Sequence, residues 1–273
     1  MIKTIESESN GSFKRWKRLA NEPRATKKCQ MTLAEGAHLA EVYLKGAPEA
    51  VYSIIVSEEA NDEARYWADQ LMDTTKAQAF EVSRTLYRAL SPVEHGIGLM
   101  CEVKLPEAQC SLTEYFAQNP NADVLYLDGV QDAGNAGTLI RTALASGIKT
   151  ICASPQTANL WAPKVLRAGM GAHVGVTIFE NVTVEALREA FPGLLLAADA
   201  RGGEDLFLSE DYTQTSVGWI MGAEGPGVSE RALSIVDRKY YIPIEAQCES
   251  LNVAAAAAVC LFDTRRRRLA QKP

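Results

Sequence analysis

Strand and helix signals alternate along the chain from residue 123 onward, and this alternation is the strongest constraint on its fold. Short apolar segments predict six strands, at Val124–Leu127, Thr150–Ala153, Gly175–Phe179, Leu194–Ala198, Val217–Met221 and Lys239–Ile242. Helical patterns fall between them, at about 136–147, 161–169, 183–190, 229–236 and 250–268. The alternation predicts an α/β fold: a mainly parallel sheet with helices on both faces, whose ligands bind beyond the carboxyl ends of the strands.

The first part of the chain predicts a smaller α/β domain. Residues 1–30 look helical and charged, and the following segment mixes short strands (Ser53–Val56, Gly98–Val103) with helical stretches such as Glu58–Met72. Leu105–Ala122 contains two prolines and several polar residues, which is typical of a linker. We therefore expect domains at 1–105 and 123–273, joined by a linker at 106–122.

Composition predicts a soluble, cytoplasmic protein. Of its 273 residues, 47% are hydrophobic and 23% are charged, as in ordinary globular domains. No apolar run approaches the roughly 20 residues of a membrane-spanning helix, and the N-terminus does not resemble a signal peptide. The six cysteines lack CxxC spacing, so neither a metal site nor a disulfide framework is predicted.

The net charge of −6 disfavours indiscriminate nucleic-acid binding, but the charge is unevenly distributed. Residues 1–30 hold three acidic residues and eight basic ones, Lys3, Lys14, Arg15, Lys17, Arg18, Arg24, Lys27 and Lys28. Phe13 and Trp16 lie among these charges and could stack on nucleotide bases. A local basic patch on an acidic protein fits specific rather than indiscriminate nucleic-acid binding.

Two polar or glycine-rich segments follow predicted strands of the large sheet. The first, Asp128–Arg141, begins a helix near Asn135 and carries Arg141 away from the helix's apolar stripe. The second, Gly222–Ser229, is a turn with a single carboxylate, Glu224, before the next helix. Each feature also has an ordinary structural explanation: a helix cap, a solvated charge and a tight turn.

A third segment lies near the C-terminus, where Glu249–Val253 precedes five alanines at 254–258. Ser250 is predicted to be the N-cap of a long helix, because a serine hydroxyl can accept an unpaired N–H of the first turn. The alanines make this helix thin enough for another backbone to pack closely against it. An ordinary alanine-rich core helix is the alternative.

In this order and at these separations, the three segments resemble the motifs of the SpoU (TrmH-type) ribose 2′-O-methyltransferases of the SPOUT superfamily. The matching residues are Asn135-x-Gly137-x-x-x-Arg141, Gly222-Ala-Glu224-Gly225-x-Gly227, and Ile242-Pro243 leading to Ser250-Leu251-Asn252-Val253. The match spans about residues 122–268. Ala223 stands where the family more often has Asn, as in members that resemble the 23S rRNA guanosine-2′-O-methyltransferases.

The N-terminal part resembles, more loosely, the small L30e-like substrate-binding domain that precedes many SpoU catalytic domains. The likeness rests on segments that include Ile5–Asn10, Leu33–Gly36 and Ser91–Gly98. The resemblance implies that residues 1–105 bind RNA.

The SpoU resemblance also implies an architecture, a reaction and a site. It implies a deep trefoil knot in the C-terminal domain and a homodimer with active sites at the subunit boundary. The implied reaction is S-adenosylmethionine-dependent methylation of a ribose 2′-hydroxyl in RNA, with 23S rRNA as the first choice of substrate. Backbone groups at Gly222, Ile242 and Leu251 would hold this cofactor, and no metal is implied. The implied catalytic residues are Asn135, Arg141, Glu224, Ser250 and Asn252.

Three alternatives stay open from the sequence. The substrate could be tRNA, or the chain could be a catalytically silent RNA-binding or ribosome-assembly protein. A nicotinamide-dependent oxidoreductase is suggested by the glycines at 222, 225 and 227. Their spacing differs from the GxGxxG fingerprint, and no acidic residue follows at the expected strand end about 20 residues later.

Overall fold

The computed structural model describes residues 2–91, 93, 96–107 and 110–271 of the chain. It divides into two compact units. Unit 1 comprises Met1–Glu107 and Trp161–Val174, and unit 2 comprises Ala108–Leu160 and Gly175–Pro273. Three residues of the segment Ser91–Gly98, whose sequence resembles part of the substrate-binding domain, lie outside the described residues: Pro92, Glu94 and His95.

Unit 1 is built on a mixed five-stranded sheet. Its strands are β1 (Lys3–Ile5), β2 (Met31–Glu35), β3 (Val51–Ser57), β4 (Gln78–Val82) and β5 (Leu99–Lys104), in the order β1-β4-β3-β5-β2. Strand β5 is antiparallel to both β3 and β2, and the other pairs are parallel. Its first five helices are α1 (Gly11–Asn21), α2 (Ala25–Cys29), α3 (Ala37–Gly46), α4 (Asp62–Thr74) and α5 (Arg84–Arg88). The sequence indicated β3, β5 and α4, but it missed β1, β2 and β4, which are too short for a clear alternation.

Helix α1 buries its apolar face in the core of unit 1. Asn10 caps the helix, because its side chain accepts the backbone N–H groups of Ser12 and Phe13. Phe13 and Trp16 follow at helical spacing, and both side chains are completely buried. The prediction that these two rings stack on nucleotide bases is therefore wrong.

Unit 2 contains a seven-stranded sheet in which every strand pair is parallel. Its strands are β6 (Val124–Asp128), β7 (Thr150–Ala153), β8 (Thr177–Glu180), β9 (Leu194–Ala198), β10 (Glu204–Asp205), β11 (Val217–Gly222) and β12 (Arg238–Tyr241), in the order β10-β12-β9-β11-β6-β7-β8. The predicted parallel sheet is confirmed, and the six predicted strands are present with ends shifted by at most two residues. The sequence missed only the two-residue strand β10.

Helices cover both faces of this sheet. The α-helices of unit 2 among the described residues are α6 (Leu112–Gln118), α7 (Ala133–Ser146), α9 (Val184–Ala190), α10 (Glu230–Leu233) and α11 (Val253–Ala270), and α8 (Pro163–Gly169) belongs to unit 1. On one face Ile220 of β11 packs in a core with Phe116 of α6 and Leu187 of α9. The next residue back, Trp219, points to the opposite face, where its Nε1 donates to Oγ1 of Thr264 in α11 at 2.9 Å.

Helix α6 lies inside the segment that the sequence indicated as a linker. Ser111 and Glu114 form a capping box at its start, and Phe116 is buried in the core of unit 2. Residues 106–122 therefore include a packed element of unit 2. The two prolines lie outside this helix, which is why composition suggested a linker.

Helix α8 belongs to unit 1, although its sequence lies within the predicted catalytic domain. The Oγ1 of Thr32 in β2 donates to the carbonyl of Trp161 at 2.6 Å, and both groups are buried. A Cβ added at Gly171 would meet the side chain of Val42 at 2.8 Å, so the segment packs closely on α3. A single domain boundary near residue 123 therefore leaves out the segment Trp161–Val174, which belongs to unit 1.

None of the helices in the described part of the chain is both long and apolar enough to cross a bilayer. All six cysteines, which fall within the described residues, are free thiols.

Candidate active site

Strands β6 and β11 are neighbours, and this pairing brings the first two polar segments together. Gly222 at the end of β11 is in register with Asp128 at the end of β6. The loops that follow the two strands therefore leave the same edge of the sheet. The Asp128 carboxylate accepts the backbone N–H of Ser229 at 2.8 Å, which ties the end of β6 to the start of α10.

Glu224 joins these two loops through its carboxylate. Its oxygens accept the backbone N–H groups of Gln131 at 3.2 Å and of Asp132 at 3.1 Å. They also accept the Nδ2 group of Asn135 at 3.0 Å. The first and second motifs are thus connected by three hydrogen bonds to one side chain.

Asn252 adds the third segment to this network. Its Nδ2 donates to Oδ1 of Asn135 at 3.0 Å, while its own Oδ1 accepts the N–H groups of Ala254 and Ala255. Asn252 is therefore the N-cap of α11. The polar chain Asn252–Asn135–Glu224, which we call the amide network, links all three motifs.

The prediction that Ser250 caps this helix is wrong. Helix α11 begins at Val253, so the capping position falls on Asn252. Ser250 is exposed, and its hydroxyl forms no hydrogen bond to any residue that the structure describes. The Asn252 side chain accepts N–H groups of the helix through its oxygen and donates to Asn135 through its nitrogen. Ser250 lies two residues earlier, too far from the first turn to cap it.

Two opposing effects act on the Glu224 carboxyl. Partial burial raises its pKa, but hydrogen bonds from Asn135 and from backbone N–H groups, including those of Gln131 and Asp132, lower it by more. The net effect is a pKa below the ordinary value of 4.5. At neutral pH the side chain is therefore a carboxylate that organises the loops, and it is a poor proton acceptor.

Arg141 stands apart from the amide network. It lies six residues after Asn135 on α7, which is about 9 Å along the helix axis. Its side chain is exposed and forms no hydrogen bond or ion pair within the described part of the chain. The structure therefore brings together Asn135, Glu224 and Asn252, and it leaves Arg141 and Ser250 unattached.

Gly222 is required by the turn itself. A Cβ at this position would lie 2.0 Å from the carbonyl carbon of Gly227 and 2.1 Å from the nitrogen of Val228. Ala223 and Gly227 close the turn, because the backbone N–H of each donates to the carbonyl of the other at 3.0 Å. Gly227 has a φ of +72°, which favours glycine. A side chain at Gly222 would disrupt this turn before it affected any ligand.

Ile242 and Leu251 border the segment between β12 and α11. Ile242 is half-buried directly after the strand, and Leu251 is 37% exposed. Neither the N–H nor the C=O group of Leu251 is hydrogen-bonded among the described residues. This backbone is therefore available to the polar groups of a ligand.

Sequence reasoning missed Gln131 and Asp132 as parts of the site. Asp132 is the N-cap of α7, and its Oδ1 accepts the backbone N–H of Asn135 at 2.7 Å. An aspartate three residues before Asn135, at the start of an apolar helical pattern, is the signal that indicates this cap. Gln131 and Asp132 bond to Glu224 through backbone N–H groups, which every residue except proline has, so the sequence does not indicate these bonds.

The model of the SpoU rRNA Methylase family matches residues 123–262, which include the whole amide network. The chain belongs to the SpoU rRNA methylase family. Among curated SpoU relatives, the 23S rRNA (guanosine(2553)-2′-O)-methyltransferase RlmP of Bacillus subtilis is 32% identical, over 97% of this chain and 100% of its own. The 23S rRNA (guanosine-2′-O-)-methyltransferase RlmB of Coxiella burnetii is 29% identical, over 87% and 96%.

Solved SpoU structures share this fold. The SpoU methyltransferase AviRb of Streptomyces viridochromogenes, in complex with the cofactor AdoMet, gives a TM-score of 0.82 at 22% identity, covering 96% of this chain and 100% of AviRb. An AdoMet-bound rRNA methyltransferase of Sinorhizobium meliloti gives 0.80 at 22% identity, covering 97% and 98%. Both alignments span the two units, so the α/β architecture of the whole chain is that of SpoU methyltransferases.

Proposed function

We propose that this SpoU protein methylates a ribose 2′-hydroxyl of 23S rRNA with S-adenosylmethionine as methyl donor. The amide network carries the proposal, because it joins the three SpoU motifs at the carboxyl edge of a parallel sheet, where such sheets bind ligands. The similarity to RlmP, which extends over nearly the whole of both chains, supports 23S rRNA as the substrate.

The loops at this edge fit the cofactor. Leu251 offers unpaired backbone groups, Ile242 offers a half-buried apolar side chain, and Gly222 gives the turn its compact shape. S-adenosylmethionine supplies an activated methyl group of its own, so the protein must bind and align the reactants. We assign main-chain recognition of the cofactor to Gly222, Ile242 and Leu251.

The polar residues divide the remaining tasks. A guanidinium stays protonated in proteins, so Arg141 acts by binding a phosphate next to the target ribose and by stabilising the developing oxyanion. Asn135 and Asn252 hold the three loops in register, and the exposed hydroxyl of Ser250 is free to orient the ribose. Glu224 accepts three hydrogen bonds from the segment that follows β6, and in this proposal it fixes the loops.

The active form in this proposal is a cytoplasmic homodimer with a knotted catalytic domain. Arg141 has no partner among the described residues of its own chain, which suits a residue that serves a site completed by a second subunit. Helix α11 exposes Phe262 (45%) and Leu269 (54%), which gives a second copy an apolar contact. RNA binding by residues 1–105 completes the proposal.

Two assays test this function. Calorimetry should show S-adenosylmethionine binding to the full-length protein, and labelled methyl groups should pass to the ribose of a 23S rRNA transcript. Leu251→Arg should weaken cofactor binding at least about 10-fold, because it places a long charged side chain beside the backbone groups assigned to the cofactor. Leu208→Arg changes a leucine that is 84% exposed and serves as the matched control. Normal binding in the Leu251 variant would overturn the cofactor assignment, and binding of 23S rRNA without methyl transfer would identify a silent RNA-binding protein.

A further inference from the structure

A groove of about 730 Å³ opens on unit 1, away from the SpoU motifs in sequence. Its lining comes from α1, from the start of β3, from the turn between α4 and β4, and from the end of β5. The side chains that decide its chemistry are Arg15, Tyr52, Lys76 and Lys104, with Glu49 as an acidic group on the lining. Nothing in the proposed methyl transfer uses this groove.

Tyr52 is displayed in the groove by a β-bulge. In the pairing of β3 with β5, Val51 lies opposite Val103 and Ser53 lies opposite Glu102, so Tyr52 is an extra residue. Val51 and Ser53 are buried, whereas Tyr52 is 44% exposed. A bulge re-aims the side chain that it carries, and here it presents a large aromatic ring to solvent.

Two cations lie close to this ring. The guanidinium carbon of Arg15 is 5.5 Å from the ring centroid of Tyr52, and Nζ of Lys104 is 5.7 Å from it. The Lys104 and Lys76 ammonium groups form no hydrogen bond or ion pair among the residues described. Both are therefore available to an anionic ligand.

Arg15 is held in place by a fully buried carboxylate. Its Nε and Nη2 donate to the two oxygens of Glu102 at 2.5 and 2.9 Å. The same carboxylate also accepts the Nε1 group of Trp16 and the hydroxyl of Ser53. Because Glu102 compensates the charge of Arg15, the unpaired positive charge of the groove comes from the two lysines.

We propose that this groove binds an unpaired nucleotide of the RNA substrate, with its base stacked on Tyr52 and its phosphates bound by Lys104 and Lys76. An exposed aromatic ring in a positively charged groove is the arrangement that single-stranded RNA binders use, because every base has a face that can stack. A base in a continuous duplex hides that face, so the groove selects a loop, a bulge or a strand end. The inference rests on the proposed action on RNA, and it assigns a surface of unit 1 to substrate binding.

Fluorescence anisotropy with the full-length protein and a labelled 12-nucleotide oligouridylate tests the stacking directly. Tyr52→Ala should weaken binding about 5- to 150-fold, the range for the loss of one base–aromatic stack, and Tyr52→Trp should bind at least as well as the wild type. Tyr66→Ala removes a tyrosine of unit 1 that is 55% exposed but outside the groove, and should not change binding. Failure of the wild type to bind, or equal binding by the Tyr52→Ala and wild-type proteins, overturns the proposal.

The lysines have a separate signature. In Lys104→Gln, the plot of log affinity against log salt concentration should become shallower by the contribution of about one phosphate contact. Lys45→Gln, outside the groove, should leave that slope unchanged. An unchanged slope in the Lys104 variant would overturn its role as a phosphate ligand.

Steady-state methylation separates this inference from the proposed function. With a 23S rRNA transcript, Tyr52→Ala should raise the KM for RNA, leave kcat near the wild-type value and leave cofactor affinity unchanged. If the wild type transfers no methyl group while Tyr52→Ala still weakens oligonucleotide binding, the methylation proposal fails and the groove stands. If kcat falls and oligonucleotide binding is unchanged, the groove assignment is overturned.

Discussion

Asn135 uses its side-chain amide in both directions. Its Nδ2 group donates to Glu224, and its Oδ1 accepts from Asn252. The network therefore needs a donor and an acceptor on one short side chain at this position. Aspartate would lose the donor and place a second carboxylate beside Glu224. Leucine would fill the space and connect neither loop. The residue type at position 135 is therefore set by the network.

Arg141 should matter for the reaction and not for the fold. Because it is exposed and forms no bond with any described residue, Arg141→Ala should leave the melting temperature within about 1 °C of the wild type. Methyl transfer should fall at least about 100-fold, the scale for removing a preorganised charge from a transition state. Arg141→Lys should recover little, since an ammonium cannot replace a planar fork. Rate assays with Lys149→Ala as the exposed-cation control check this, and a fully active lysine variant would refute the bidentate phosphate contact.

Glu224 should make stability depend on pH in the acid range. Hydrogen bonds hold its folded pKa below 4.5, so its stabilising contribution is complete above that value and is lost as the pH falls through the lower folded pKa. Glu224→Gln cannot ionise, so the difference in unfolding free energy between wild type and variant should be largest at pH 7 and shrink below pH 4.5. Urea titrations across this range measure it. Glu189→Gln, at an exposed carboxylate without a hydrogen bond among the described residues, is the control, and a difference that stays constant with pH would contradict the account.

At the scale of elements, the start of helix α11 and its hydrogen bond to the candidate site depend on one residue. Asn252 caps the helix and also holds Asn135. Asn252→Ala should lose the cap, at about 1 kcal/mol, together with activity. Asn252→Ser should keep the cap but lose activity, because the shorter side chain lacks the amide that donates to Asn135. Ser250→Ala should not change stability.

Thermal unfolding and rate assays on these three variants separate capping from catalysis. If Ser250→Ala destabilised the protein by as much as Asn252→Ala, the start of α11 would be misplaced.

The elements that sequence predicted well are those with long, uniform patterns. Val217–Gly222 and its neighbouring strands are buried on both sides, so each reads as an unbroken apolar run. The elements that it missed depend on partners distant in the chain. Helix α6 is recognised only when Phe116 is seen packed beside Phe191, and the cap of α11 only when Asn252 is seen beside Asn135. The burial of Trp16 depends likewise on Glu102, 86 residues later.

At the scale of the whole molecule, the placement of α8 affects how the domains can be tested. Removing residues 1–105 would take away β2 and α3, against which Trp161–Val174 packs, and would leave that segment of the remaining chain uncovered. A truncated protein that failed to bind RNA could simply be misfolded. Point variants in the groove at Tyr52 therefore test the RNA-binding role of unit 1 more cleanly.

The proposed dimer makes a prediction about mixed subunits. If Arg141 serves a site that is completed by the other chain, mixing Arg141→Ala protein with Leu251→Arg protein under subunit exchange should restore one working site in each mixed dimer. Each variant alone should be much less active than the wild type when the cofactor is below saturation. Light scattering at micromolar concentration should first give twice the mass of the 29.7 kDa chain. A monomer would exclude the arrangement, and a dimer without recovery of activity would place Arg141 in its own subunit's site.

The central claim, ribose methylation of 23S rRNA, is tested most directly by mapping 2′-O-methyl groups in RNA from cells with and without this protein. We predict that one 2′-O-methylated nucleotide of 23S rRNA disappears without the protein. It should return with the wild-type chain and not with Arg141→Ala. Identical 23S rRNA maps in the two cell types, or a loss confined to tRNA, would contradict the claim.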